Sequence, residues 1–176
     1  MREIVIHREE IYSGRIVHLS AVDVRLPNGK EAHRELIQHP GAVAIVALDE
    51  EQNVVLVSQY RLAADRIMWE IPAGTLNPGE APLVCAEREL QEEAGLFPGK
   101  LDALGGLYVA PGYTTEFIHL FIATELSESR LEMDEDEFIE SKRVPFAEAL
   151  DMIERGDIID GKSIAGLFKT ARRLGL

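Results

Sequence analysis

Apolar and polar positions alternate along this chain in three distinct ways. In residues 1–39 short apolar runs are broken by polar ones. Ile4-Val5-Ile6 and Ile16-Val17-His18-Leu19 flank a turn at Tyr12-Ser13-Gly14. Val22, Val24 and Leu26 then alternate into Pro27-Asn28-Gly29-Lys30, a hairpin signal. The return strand places Ala32, Arg34 and Leu36 on one face. A few short strands make a marginal unit by themselves, so this section is expected to dock onto something.

From Gly41 the pattern becomes more apolar. Residues 42–48 and 54–60 are near-continuous hydrophobic runs around a polar turn at 49–53, which predicts strands buried on two faces. A loop over 61–66 and a short strand over 67–71 lead into Pro72-Ala73-Gly74. Further strands are expected over 101–110 and 117–124 around Pro111-Gly112. An acidic loop over 132–137 and a strand running through Val144 follow. Residues 146–155 and 164–174 read as helices, the second with apolar side chains at 164, 167, 168, 171 and 174. Strands with helices on both faces predict an α+β fold. Its expected form is an α/β/α sandwich around a mixed β-sheet, with an N-terminal antiparallel section over 1–39 and the main domain over 40–176.

The third pattern, in residues 74–96 (GTLNPGEAPLVCAERELQEEAGL), carries the chemistry. A Gly/Pro-rich loop feeds a short helix that begins at Pro82, whose missing N–H costs nothing in a first turn. Gly95 suits the position just past the last turn. Leu83, Ala86, Leu90 and Ala94 form an apolar stripe. Glu89 and Glu93 share a second stripe about 80° round from it, flanked by Glu92. Like charges at this spacing cost an isolated helix roughly 0.2–0.5 kcal/mol. Anions in the last turn cost about 0.3–1 kcal/mol more. Arg88 can pair with Glu92, which leaves Glu89 and Glu93 uncompensated. A solvated acidic face would tolerate that, but crowded carboxylates behind a glycine-punctuated loop favour a site for hard divalent ions.

Composition narrows the partners. The chain has 176 residues, 46% of them apolar, enough for one domain plus an appendage. A net charge of −13 argues against nucleic acid and membrane surfaces as partners. It would also repel an anionic substrate, unless bound divalent ions reverse the local field. The single cysteine, Cys85, excludes an intrachain disulfide framework. It suits a reducing compartment, and with no signal-peptide pattern the expected location is cytoplasmic.

The spacing G-x5-E-x7-R-E-L-x-E-E-x-G-L, from Gly74 to Leu96, resembles a complete Nudix box. Within that family the chain is similar to the ADP-ribose pyrophosphatase branch across nearly its whole length. The residues that carry this are Gln59-Tyr60-Arg61, Glu70-Ile71-Pro72-Ala73-Gly74, and Pro111 within Ala110-Pro111-Gly112-Tyr113-Thr114-Thr115-Glu116. The resemblance implies a Mg²⁺ enzyme, with Mn²⁺ as a substitute, that hydrolyses ADP-ribose to AMP and ribose 5-phosphate. It also implies a swapped homodimer. Glu89 and Glu93 would be the main metal ligands, helped by Glu92 and by the Ala73 carbonyl, since a Pro-Ala-Gly turn is not expected to close a regular ladder. Glu80 and Arg88 would form a structural pair.

Arg61 would hold a phosphate or the terminal ribose, and Glu70 would hydrogen-bond the adenine end. Both compete with the reading of an ordinary surface charge. Arg34 and Glu116 are the further candidates for substrate binding. The general base is assigned to Glu137, with Glu135 second, against the reading that these acids only keep a loop solvated. Cys85 reads as a packing residue because nearby anions oppose a thiolate, and Trp69 as core. The five histidines show no ligand spacing. Rival functions are a Nudix hydrolase of another nucleoside diphosphate derivative (sugar nucleotide, coenzyme A or oxidised nucleotide) and a non-catalytic nucleotide sensor.

Overall fold

The computed structural model describes residues 1–132 and 138–176. The chain divides into two compact units, residues 1–41 with 108–117, and residues 42–107 with 118–176.

The first unit is built on an antiparallel meander of β1 (Ile4–Ser13), β2 (His18–Arg25) and β3 (Glu31–Gln38). The hairpin expected at residues 27–30 is present: Gly29 takes φ +84° and its N–H bonds the Leu26 carbonyl. The first turn lies later than expected. β1 runs through Tyr12 and Ser13, and the chain reverses after Gly14, whose N–H bonds the Val17 carbonyl. Irregularities between Val5 and His7 and between Glu10 and Tyr12 let β1 stay paired along its length. Residues 113–115 join the end of β3, with Ile37 N–H on the Tyr113 carbonyl and Thr115 N–H on the Ile37 carbonyl.

The second unit is organised on β4 (Ala42–Ala47), all six residues of which are buried. Around it run β5 (Asn53–Arg61), β6 (Arg66–Glu70), β7 (Ala73–Thr75), β8 (Leu96–Tyr108), β9 (Phe117–Glu128) and β10 (Glu140–Pro145). They form a mixed sheet in the order β7-β4-β9-β8, with β4 parallel to β9, and a three-stranded sheet β10-β5-β6. Because side chains alternate along a strand, β4 feeds two cores. Ala42, Ala44 and Val46 pack with Leu120, Phe146, Met152 and Leu167, under α2 (Phe146–Glu154) and α3 (Gly161–Leu174). Val43, Ile45 and Ala47 pack with Cys85, Ala86 and Leu90 of α1 (Pro82–Ala94). This is the expected sandwich.

Three local readings change. Residues 61–66 are not an open loop: Arg61 ends β5, Arg66 starts β6, and only a 3-10 turn at Leu62–Ala64 remains. Asp65 closes it at φ +51° while accepting the Tyr60 hydroxyl. Residues 73–75 form a short strand rather than a free turn, because β4 offers them its open edge. The α1 stripe is rotated as well. Leu83 is exposed, and the buried positions are Cys85, Ala86, Glu89, Leu90 and Glu93. The carboxylate row turns inward because it finds partners there.

Helix α3 approaches the sheet at Gly166. A Cβ at this position would lie 2.8 Å from Ile71 Cδ1 and 3.1 Å from Val46 Cγ2, both in the closed core. Gly166→Val should therefore cost about 1–3 kcal/mol by overpacking. Urea denaturation should show a lower midpoint at unchanged slope. An unaltered midpoint would mean that α3 does not seat this closely.

Candidate metal and substrate site

The box helix begins and ends as its sequence demands. Pro82 is its first residue, and Gly95 caps it at φ +68° with its N–H on the Gln91 carbonyl. One side of α1 faces β7. Register decides which backbone atoms β7 offers. Ile45 N–H bonds the Pro72 carbonyl, and Ala44 stands opposite Ala73. Alternation in an antiparallel ladder then turns the N–H and C=O of Ala73 away from β4, off the edge of the sheet. The Ala73 N–H donates to Glu93 Oε2 at 2.9 Å. So Ala73 does belong to a ladder, contrary to the sequence reading, yet its carbonyl stays on the open side.

Glu89 lies against the next residue of β7. A Cβ on Gly74 would fall 1.8 Å from Glu89 Cδ, so only glycine leaves room for this carboxylate. Both Glu89 and Glu93 are buried. Arg88 gathers the remaining acids. Its Nε and Nη2 donate to the two oxygens of Glu80, each at 2.9 Å, and its Nη1 donates to Glu89 at 2.7 Å and Glu92 at 2.8 Å. The expectation that Glu89 lacks compensation is thereby corrected: a guanidinium pinned by Glu80 still spans to its neighbour. The Arg88 hydrogen bonds hold the Glu80 carboxyl down at about 2. Glu80 in turn raises the Arg88 guanidinium above its ordinary value. Burial, then Glu89 and Glu80, push the Cys85 thiol up to about 12. Cys85 is buried in the core beside Ala86 and Leu90, which agrees with its reading as a packing residue.

A second cluster forms where β5, β6 and α3 meet. Glu70 is 2% exposed. Arg61 grips both its oxygens, Nε to Oε1 at 2.8 Å and Nη2 to Oε2 at 2.7 Å, and Lys162 Nζ bonds Oε2 as well. Burial works to raise the Glu70 carboxyl, but the two cations outweigh it and hold the group below its ordinary value. Glu70 keeps Arg61 above its usual value against the opposing effect of burial, and Glu93 and Asp160 add to this. Glu70 thus accepts three hydrogen bonds from cations, one on Oε1 and two on Oε2, which leaves one acceptor position on Oε1. No local pattern points to Lys162, which meets Glu70 across 92 residues of chain.

The structure thus brings together Arg61, Glu70, Ala73, Glu80, Arg88, Glu89, Glu92 and Glu93 in the second unit. Arg34 and Glu116 belong to the first unit, where Arg34 pairs with Glu3 at 2.6 Å and the Glu116 N–H bonds Thr114 Oγ1. Glu137 and Glu135 lie outside the described residues. Among the described residues no three Cys, His, Asp or Glu side chains form a finished metal cluster; Arg88 holds Glu89 and Glu92 instead. The donor set nevertheless suits a hard divalent ion. It consists of oxygens only, with Glu89 and Glu93 seated on successive residues of one strand edge and a backbone carbonyl turned outward between them.

The chain is similar to proteins of known family over most of its length. A family described as the NUDIX domain matches residues 38–167. An ADP-ribose pyrophosphatase of Bacillus subtilis (strain 168) is 42% identical over 165 residues, 93% of this chain and 89% of that protein. A methanol dehydrogenase activator of Bacillus methanolicus is 43% identical over 164 residues, covering 92% and 89%. A crystal structure of an ADP compounds hydrolase superposes with a TM-score of 0.89 at 26% identity, covering 99% of this chain and 95% of that one.

The Glu80–Arg88 pair has a consequence for acid stability. The folded-state carboxyl is depressed from 4.5 to about 2, so its contribution is fully present above pH 4.5. It is lost as pH falls through about 2. Glu80→Gln should be less stable than wild type at pH 7 and should lose less on acidification, as urea titrations at pH 7, 4 and 3 would show. Glu70 shifts in the same direction, so part of the acid limb should persist in the variant. Parallel limbs for the two proteins would remove Glu80 as its source.

Proposed function

Since the chain belongs to the Nudix family of hydrolases, we propose that it cleaves the diphosphate of ADP-ribose to AMP and ribose 5-phosphate. The observation that carries the choice of substrate is the likeness, over nearly the whole chain, to a relative named for that activity. Glu89, Glu92, Glu93 and the Ala73 carbonyl would hold the divalent ion, Mg²⁺ with Mn²⁺ as a substitute. When bound, such an ion neutralises phosphate charge and lowers the pKa of the attacking water.

Water attacks one phosphorus and the bond from that phosphorus to the bridging oxygen breaks. A carboxylate takes the proton of the water. Glu89 and Glu92 are engaged with Arg88, and Glu93 with the Ala73 N–H, and the same three would hold the metal, which supports a base from outside this set; we assign it to Glu137. Arg61 uses Nε and Nη2 on Glu70, and its Nη1 has no hydrogen-bond partner among the described residues. That edge suits a substrate phosphate or the terminal ribose. Arg34 and Glu116 remain candidates for other parts of the substrate. No described helix is long and apolar enough to cross a membrane, and the free cysteine is compatible with a cytoplasmic enzyme.

In the presence of Mg²⁺, chromatography should show ADP-ribose converted to AMP and ribose 5-phosphate, with kcat/KM above that for coenzyme A, sugar nucleotides and oxidised nucleoside triphosphates. Glu89→Gln or Glu93→Gln should lower kcat by about 10²-fold or more, as expected for losing several kcal/mol of charge stabilisation. Glu137→Gln should lower it by about 10²–10⁴ with KM little changed. A silent Glu137→Gln beside an inactive Glu135→Gln would move the base to Glu135. Preference for an oxidised nucleotide would overturn the substrate. A protein that consumes no diphosphate but stimulates a dehydrogenase would overturn the reaction.

The section over residues 1–39 is proposed to make a homodimer. β1 is an edge strand of its sheet, all ten of its residues are exposed, and it carries Ile4, Val5, Ile6, Ile11 and Tyr12. A long apolar edge of this kind is a template for pairing with another chain. Sedimentation should give a dimer, and deletion of residues 1–38 should damage both dimerisation and substrate binding. An active wild-type monomer at low concentration would refute the assignment.

A further inference from the structure

Glu70 is held from two sides, and only one of them belongs to a residue that the family resemblance pointed to. On the inner side a closed ring of contacts runs through the first turn of α3. Lys162 Nζ bonds Glu70 Oε2 and lies 3.0 Å from Asp160 Oδ2. Asp160 Oδ2 caps α3 by accepting the N–H and the hydroxyl of Ser163, at 2.9 and 2.6 Å. Ser163 Oγ then accepts the N–H of Ile71 at 2.9 Å, the residue after Glu70, and closes the ring. Every member except Glu70 and Ile71 comes from four consecutive positions, so the ring moves as one piece with the helix start.

On the outer side sits Arg61, docked on Glu70 in bidentate fashion, with its side chain 40% exposed. The side chain of Lys162 is only 12% exposed. The two cations therefore differ in what they can reach. Arg61 opens to solvent and Lys162 faces the ring. A bidentate guanidinium is aimed by the plane of its carboxylate, and that plane is set here by the ring behind it.

We propose that Lys162 is a positioning residue for substrate binding: by fixing the Glu70 carboxylate within the ring it aims the free edge of Arg61 at the anionic part of a nucleoside diphosphate substrate. This rests on the hydrolase reading above and adds to it a residue that touches no substrate. Without Lys162, Glu70 keeps a single counter-charge and gains freedom to rotate, and the guanidinium rotates with it. The substrate contact weakens equally in ground and transition state, so KM rises more than kcat falls.

A double-mutant cycle tests this on whichever diphosphate the wild-type protein cleaves best, so that failure of the ADP-ribose reading leaves the cycle intact. Lys162→Met should raise KM roughly tenfold with kcat lowered far less. Arg61→Ala should raise KM at least as much, and the double variant no further than Arg61→Ala, because Lys162 acts only through Arg61. Lys162→Arg, which can still donate to Glu70 and Asp160, should return KM close to wild type. If Lys162→Met fails to fold, Lys162→Gln takes its place in the cycle, with the same expected pattern. A lowered melting temperature with KM unchanged would make Lys162 purely structural and overturn the proposal, as would effects of Lys162 and Arg61 that multiply independently.

Discussion

Carboxylates buried against the edge of a strand are the constraint on which the second unit depends. Glu89 and Glu93 are 8% and 5% exposed. Taking a carboxylate out of water costs several kcal/mol unless partners replace its hydration. The like-charge spacing on α1, at roughly 0.2–0.5 kcal/mol, is minor beside that. The partners come from different places. Ala73 supplies an N–H only because β7 lies at the edge of its sheet and its register turns that group outward. Arg88 supplies a charge, and Glu80 pins it in reach. Gly74 supplies space. Strand, loop and helix are thus one device, in which each residue makes sense only with the others in place.

The same device explains why β4 carries such small and uniformly apolar side chains. It must pair with β7 on one edge and β9 on the other while filling a core on each face. A polar side chain on either face would be buried without a partner. The rigidity this gives β4 passes directly to β7, and so to the backbone atoms that receive Glu93. Core packing and site geometry are linked through that single pair of strands.

Much of this was legible in the residues, and what was not has a common cause. Pro82 and Gly95 mark the ends of α1 because each has a backbone requirement of its own, independent of the rest of the fold. The runs forming β4 and β5 are too apolar for anything but burial on two faces. The hairpin at Asn28-Gly29 follows from local turn chemistry. Misreadings arose where a distant segment decided the outcome. Periodicity put Leu83 on the apolar stripe of α1 and the glutamates on a second stripe beside it; partners on β7, which no local pattern reveals, bury the glutamates and leave Leu83 exposed. Residues 73–75 look like a turn, since Pro72 and Gly74 both weaken strands, yet they form a strand because β4 has an open edge there. Asp160 and Lys162, just ahead of the helix expected over 164–174, gain a role only when the fold brings Glu70 to Lys162.

Charge balance supplies the last step. Three carboxylates, Glu80, Glu89 and Glu92, surround the single guanidinium of Arg88, and a fourth, Glu93, is held close by on the Ala73 N–H. Arg61 and Lys162 are both committed to Glu70. A cluster this rich in anions, in a chain of net charge −13, repels a diphosphate by itself. One free edge of Arg61 does not overturn that field. Divalent ions do, since each brings two charges to the place where carboxylates are already gathered and where phosphate oxygens can complete the coordination shell. On the proposed reading, the metal that serves the chemistry is therefore also what lets the substrate in. The acidity of the chain would then favour a diphosphate only where divalent ions offset the charge of these carboxylates.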